Sequence, residues 1–300
     1  MIPVNRVVPR RLRATQLNGV QILDNQDLAR DSIKLAGLIA QRWPQCDAIA
    51  GVPRSGMLAA SHVATNLGLP LYECYEGELN KLGGGRRVRS YINYPHTKIV
   101  VIEDSINSGW SIKRAVSATP DPRIIGTAAV YSTPTGASSV DLVAIDLPLP
   151  HYFMWHMFGS NLLCKYPTGF DIDGLFCPDC SREADDDGER YLQFLTTTPP
   201  LYLYRGGVCG AIITARLEKY RPQTEAWLAT HKIQFRKLVM GPWESLAERR
   251  KHLMGEWKGS VCKQLNLQLY VESDPRQAPQ IAKVGNIPVM CPNAKKVFIP

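Results

Sequence analysis

Val101-Ile-Glu-Asp-Ser-Ile-Asn-Ser-Gly-Trp-Ser111 decides how the first half of this 300-residue chain is read. The apolar run Ile99 to Ile102 has the length of a strand buried on both faces. Two acids, Glu103 and Asp104, close it. The small-residue loop Asn107-Ser108-Gly109-Trp110-Ser111 follows, and a helical pattern runs from Ser111 to Ala118. Strand, loop and helix in that order form the unit of a mainly parallel α/β sheet, which binds ligands at the carboxyl ends of its strands. Hydroxyls and N–H groups at a helix start make a cradle for phosphate. Acids beside such a cradle make sense if they grip hydroxyls or a cation rather than the phosphate itself.

Strand-like and helix-like runs alternate on both sides of this stretch. Upstream, Ala48-Ile-Ala50 reads as a strand and Met57 to Leu67 as a helix. Between them Gly51-Val-Pro-Arg-Ser-Gly56 offers glycines, the cation Arg54, Ser55 and a helix start, a second turn suited to an anion. Downstream, Ile124 to Tyr131 and Val140 to Ile145 read as strands. The aromatic segment His151 to Phe158 then precedes a domain boundary between about 158 and 168. Phe153 and Trp155 in it read either as core or as a platform for a second substrate. The fold class expected is therefore α/β with two Rossmann-like domains, residues 1–160 and 161–300.

In the second domain Phe170-Asp-Ile-Asp-Gly174 reads as a strand end that alternation would leave with Asp171 and Asp173 on one side. Carboxylates so close repel unless a cation or a proton intervenes, which suits a nucleophile beside a general acid/base. Ala211 to Thr214 and Leu269 to Val271 are further strands, the first ending in a hydroxyl, the second leading into Glu272 and Asp274. Trp243 to Cys262 reads mostly as helix and holds Lys251 and Lys258, with Lys263 just beyond it. Gly174 to Leu201 leaves room for a modest lid.

Composition limits the alternatives. Apolar residues make up 45% of the chain, and the net charge is +8. The excess is even: 16 basic against 12 acidic residues in 1–160, and 19 against 15 in 161–300. That balance suits small phosphorylated substrates, and nucleic acid is not expected. No apolar run approaches a membrane span, and the start lacks the apolar core of a secretory signal, so the expected location is cytoplasmic. The eight scattered cysteines suit reduced thiols, and Cys177-Pro-Asp-Cys180 lacks two further zinc ligands.

Val101 to Ser111 resembles the signature with which type I phosphoribosyltransferases bind PRPP (5-phosphoribosyl 1-diphosphate). Gly51 to Gly56 is similar to that family's pyrophosphate loop, and Gly77 to Tyr91 to its mobile catalytic loop. The resemblance spans about residues 20–160. It implies that Glu103 and Asp104 hold the ribose hydroxyls, with Mg²⁺ as a further partner. Asn107, Ser108, Gly109, Trp110 and Ser111 would surround the 5-phosphate, and Arg54, Ser55 and Gly56 the pyrophosphate. Lys81, Arg86, Arg87, Arg89, Ser90 and Tyr91 would close over the leaving group. Trp110 is bulkier than the residue this loop often carries. Over about residues 165–300 the ordered set Asp171, Asp173, Thr214, Lys258, Glu272 and Asp274 resembles the haloacid dehalogenase-like (HAD) phosphohydrolases. That likeness implies an Asp171 nucleophile, an Asp173 acid/base, Thr214 on the phosphoryl group and a neutralising lysine. Lys251 and Lys263 rival Lys258 for that part. Mg²⁺ would be held by Asp171, Asp173, Glu272 and Asp274.

Together the two resemblances imply a bifunctional enzyme: phosphoribosyl transfer from PRPP, then removal of the 5-phosphate. The acceptor expected is a glycan or lipid-linked molecule of ribofuranose-containing polysaccharide synthesis, with peripheral contact to a lipid surface. The alternatives are a nucleobase acceptor in nucleotide salvage and a non-catalytic PRPP sensor. A homo-oligomer is compatible with either.

Overall fold

Two six-stranded sheets, each mainly parallel and flanked by helices, make this an α/β protein of Rossmann-like units. The computed structural model describes residues 17–83, 96–159, 161 and 163–300. Its contacts divide the chain into Leu23–His151 and a second unit of Tyr152–Pro300 with the segment up to Ile22.

β1 (Gln21–Leu23), most of which belongs to the second unit, leads into α1 (Asn25–Arg42), the first helix of the first unit. Asp24 caps that helix, accepting from the amides of Gln26 and Asp27, while the Asp27 carboxylate accepts from the Asp24 amide. Leu28, Leu35 and Ile39 fall on one buried face of α1. Then come β2 (Ala48–Gly51), α2 (Gly56–Leu67), β3 (Leu71–Tyr75), β4 (Glu78–Gly83), β5 (Ile99–Ile106), α3 (Trp110–Ala118), β6 (Ile124–Ser132) and β7 (Leu142–Asp146). The sheet order is β4-β3-β2-β5-β6-β7, with β4 alone antiparallel to its neighbour. Ile99 to Ile102 is fully buried, as a central strand covered on both faces requires. The strand order reverses between β2 and β5, where Gly51 lies opposite Ile102, so the loops after both strands open at one carboxyl edge.

Glu78–Gly83 corrects the sequence reading. It is a strand hydrogen-bonded to β3, not the start of a loop, because pairing with Leu71–Tyr75 satisfies its backbone.

The second unit takes in β8 (His151–Phe153), which pairs with β1, and α4 (Met154–Met157). Then follow β9 (Thr168–Phe170), α5 (Glu189–Thr197), β10 (Ala211–Leu217), α6 (Arg221–Thr230), β11 (Leu238–Gly241), α7 (Leu246–Arg249) and α8 (Met254–Gln264). The unit closes with β12 (Leu269–Val271), α9 (Ala278–Gly285), β13 (Val289–Cys291) and β14 (Lys296–Phe298). Its sheet runs β11-β10-β9-β12-β13-β14, parallel except for β14. Here the order reverses between β9 and β12. Trp243 to Cys262 holds two helices, not one. A segment around Arg250 to Leu253 separates them. All eight cysteines are free thiols. No helix among the described residues is long and apolar enough to cross a membrane.

Candidate active sites

In the first unit Glu103 and Asp104 lie on β5 near its carboxyl end, both buried. The Ser111 hydroxyl donates to Glu103 Oε2 at 2.9 Å, tying the start of α3 back to the strand. The Ser105 hydroxyl donates to Asp104 Oδ2 at 3.3 Å. Burial, and then the neighbouring Asp104 charge, push the Glu103 carboxyl up to about 8. A cation brought to the pair would favour the ionised form of Glu103.

Glycines set the spacing of both loops. Gly109 has φ +70°, and a Cβ there would sit 2.2 Å from the Ser139 Cβ. Gly56 starts α2, and a Cβ there would lie 2.9 Å from the Ile102 carbonyl oxygen and 3.0 Å from Glu103 Oε1. The loop Gly51 to Gly56 thus closes directly against Glu103. Arg54 and Ser55 stand in that loop, where the Pro53–Arg54 peptide is cis. Asn107 is fixed by Thr133, whose hydroxyl donates to its carbonyl at 3.2 Å. The Ser108 hydroxyl accepts from the Trp110 amide at 3.4 Å. The Trp110 ring is exposed, with the Arg114 guanidinium 5.1 Å from its centre. Lys81 sits on β4, opposite Tyr72 of β3. Arg86, Arg87, Arg89, Ser90 and Tyr91 lie outside the described residues.

In the second unit β9 and β12 are neighbours, and Phe170 is in register with Val271. The residues that follow these strands, Asp171 and Glu272, therefore arrive side by side. Lys258 of α8 bridges them, with Nζ 2.6 Å from Asp171 Oδ2 and 2.7 Å from Glu272 Oε2. All three side chains are buried. Of Lys251, Lys258 and Lys263, it is Lys258 that contacts Asp171. Burial and the Glu272 charge push Asp171 upward against the pull of Lys258. Burial would lower the Lys258 ammonium, but the two carboxylates outweigh it and hold it above the ordinary lysine range.

Asp171 and Asp173 follow β9 rather than belonging to it, so strand alternation does not govern them. The backbone turns at Ile172, whose amide donates to Asp171 Oδ1 at 2.8 Å. Asp173 points instead to a partner the sequence reading missed, Arg216 of β10. The guanidinium Nη2 lies 2.6 Å from Asp173 Oδ1, and Nε 3.0 Å from Oδ2. Burial alone would raise the Asp173 carboxyl, but Arg216 outweighs it and keeps it below the usual range. Arg216 lies two positions beyond Thr214 on one strand. A cation at that spacing was the signal available in the sequence.

The Thr214 hydroxyl is buried and accepts from the Arg216 amide at 3.2 Å. Ser273, also missed, donates to the Asp173 carbonyl at 2.9 Å. Asp274 accepts from Arg276 at 3.0 Å and from the Gln277 side chain at 3.2 Å. The carboxylates border a cleft of about 660 Å³, which Asp179, Arg249 and Arg276 also line. Cys177 is buried with Sγ 3.4 Å from Asp173 Oδ1, so its thiol serves packing and hydrogen bonding. Phe153 stacks on Trp155 with ring centres 4.7 Å apart.

As ligands for Mg²⁺ the acids differ. Asp171, Glu272 and Asp274 are hard oxygen donors of the right kind. Asp173 has both carboxylate oxygens gripped by buried Arg216, whereas those of Asp274 are taken by Arg276, an exposed side chain free to move aside, and by Gln277. Among the described residues no group of three or more acids, histidines or cysteines forms a ready metal cluster.

No family model matches the chain. It is 30% identical over 119 residues to an orotate phosphoribosyltransferase of Lactiplantibacillus plantarum, covering 38% of this chain and 54% of that one. It is 31% identical over 120 residues to the orotate phosphoribosyltransferase of Cutibacterium acnes, covering 38% and 53%. The chain thus spans about half the length of these curated relatives. Among solved structures, the xanthine-guanine-hypoxanthine phosphoribosyltransferase of Helicobacter pylori overlays 46% of this chain and 93% of its own. The TM-score is 0.34, at 19% identity. The sheet order and loops of Leu23–His151, with the likeness to the orotate enzymes, give this unit a type I phosphoribosyltransferase-like fold.

Proposed function

We propose that this protein transfers 5-phosphoribosyl from PRPP to a nucleobase and hydrolyses a phosphate monoester at the Asp171 centre. The observation that carries the transferase reading is the buried Glu103-Asp104 pair, with Gly56 close against Glu103 and the Ser111 hydroxyl bonded to it, in a chain similar to orotate phosphoribosyltransferases. Orotate is a nucleobase. That likeness favours nucleotide salvage over the glycan or lipid-linked acceptor, which rests on the pairing of the two chemistries alone.

In transfer, the ribose C1–O bond to pyrophosphate breaks and a bond to the acceptor nitrogen forms. Glu103 and Asp104 stabilise the positive charge that develops on the sugar ring, while the amides after Asn107 take the 5-phosphate. In hydrolysis, Asp171 attacks phosphorus and the ester oxygen leaves with a proton that Asp173, ionised at rest in its pair with Arg216, first takes up from solvent in the cleft. Water then attacks the aspartyl phosphate, gives its proton to Asp173 and frees phosphate. Lys258 neutralises charge at Asp171, and Thr214 lies on the neighbouring strand β10, two positions beyond Ile212, the partner of Phe170. Asp171, Glu272 and Asp274 are the side chains that would hold Mg²⁺, which supplies charge neutralisation on phosphoryl oxygens. Removing the product's phosphate would make the transfer effectively irreversible.

The test is incubation with PRPP, Mg²⁺ and a panel of nucleobases, following pyrophosphate and phosphate separately. Asp171→Asn is expected to abolish phosphate release and to leave pyrophosphate release intact. PRPP binding with no turnover on any nucleobase would favour the PRPP-sensor alternative. Loss of both releases in Asp171→Asn would refute two independent chemistries.

A further inference from the structure

Arg216 has no part in the chemistry above, yet it is a fully buried cation of the second unit. The inference drawn from it rests on the phosphohydrolase reading of the Asp171 centre. Its side chain is fully buried on β10, whereas Asp173, its partner, remains a quarter exposed beside the cleft. Nε and Nη2 together engage both carboxylate oxygens of Asp173. Nη2 also donates to Cys177 Sγ at 3.2 Å, and the ring of Phe194 on α5 lies 5.9 Å from the guanidinium carbon. The third nitrogen, Nη1, is buried without a hydrogen-bond partner.

A buried guanidinium with one donor left over is a poor core filler. Burying its charge costs about as much as its ion pair returns. What a planar fork provides, and an apolar side chain cannot, is a fixed direction for the carboxylate it grips. Two parallel N–H···O contacts stop Asp173 from rotating about its terminal torsion. Cys177 and Phe194 hold the fork itself in place. The exposed edge of Asp173 is then the part turned to the cleft.

We propose that Arg216 is a positioning residue for phosphate-ester hydrolysis, holding the Asp173 carboxylate in the orientation from which it exchanges protons with the leaving oxygen and the attacking water. Arg216 itself forms and breaks no covalent bond. The fork matters as well as the charge, so lysine replaces it poorly. Misplacing a reacting group by about 1 Å costs on the order of a hundredfold in rate.

The test is a double-mutant cycle in the full chain, with p-nitrophenyl phosphate as substrate and Mg²⁺ present. Asp173→Asn is expected to lower kcat by about 10²–10³-fold. Arg216→Met and Arg216→Lys should each lower kcat by about 10–100-fold, with KM changed by less than about threefold. Arg216→Met in the Asp173→Asn background should cost less than about threefold more, because Arg216 acts only through Asp173. That double variant buries no unpaired charge and so keeps the cycle readable if Arg216→Met alone unfolds. Full additivity, or full activity in Arg216→Lys, overturns the inference and leaves the hydrolase reading standing. No phosphate release by the unaltered protein from this ester or from any phosphoribosylated product overturns both.

Discussion

Replacing Lys258 by Met isolates the electrostatics of the second unit. In the native protein one ammonium serves two buried carboxylates, at 2.6 Å from Asp171 and 2.7 Å from Glu272. Methionine keeps the side chain's length and apolar stem but removes the charge. Two adjacent buried carboxylates cannot both stay ionised without it, so one must take up a proton. From an ordinary carboxyl pKa near 4, that proton costs about 4 kcal/mol at pH 7 and about 1.5 kcal/mol at pH 5. Lys258→Met should therefore destabilise by about 3–5 kcal/mol at pH 7 and by about 1–2 kcal/mol at pH 5. The assay is equilibrium urea unfolding of both proteins at each pH, followed by tryptophan emission. Trp227, Trp243 and Trp257 of this unit report on it. A difference below about 1 kcal/mol at pH 7, or one that does not shrink on acidification, would refute the account of Lys258 as their common counter-ion.

Two predictions concern the first unit. Glu103 is pushed from 4.5 up to about 8, so the folded state binds its proton more tightly than the unfolded chain does. Its stability contribution is complete below pH 4.5 and is lost as pH rises through about 8, a span worth about 5 kcal/mol at most. Glu103→Gln should flatten that slope, and thermal unfolding of both proteins between pH 5 and 8 checks it; parallel curves would count against the buried acid. Gly109→Ala should cost about 2 kcal/mol or more, since φ is +70° and its Cβ would overlap Ser139. Isothermal titration with PRPP and Mg²⁺ should show weakened binding, and native affinity with native melting would mean the loop tolerates the methyl group.

Much of the architecture could be read from local pattern. Ile99 to Ile106 announces a doubly covered strand by four consecutive apolar residues, and Leu269 to Val271 does so with three. What local pattern cannot carry is pairing at a distance. Glu78 to Gly83 has the polar, glycine-flanked look of a loop and becomes a strand only because β3 lies antiparallel to it. Arg216 looks like an ordinary strand-end arginine until Asp173, 43 residues earlier, is brought to it. Lys258 could not be told from Lys251 or Lys263 without knowing which face of α8 meets Asp171. The turn after Phe170 likewise depends on the Asp171 carboxylate capping the Ile172 amide, a contact that strand alternation ignores.

The sheet order around Asp171 has a consequence for how this unit assembles. Asp171 and Lys258 are 87 residues apart in sequence, and closing so long a loop costs about 4 kcal/mol of chain entropy beyond a constant. β9 and β12 become neighbours only when that loop has closed, so no segment shorter than residues 171–272 can hold the Asp171, Lys258 and Glu272 cluster. Any molecule that recognises the three together recognises the finished fold and nothing earlier. Its binding free energy is therefore added to the cooperative stability of the whole unit, and a rise in melting temperature becomes a direct report of occupancy.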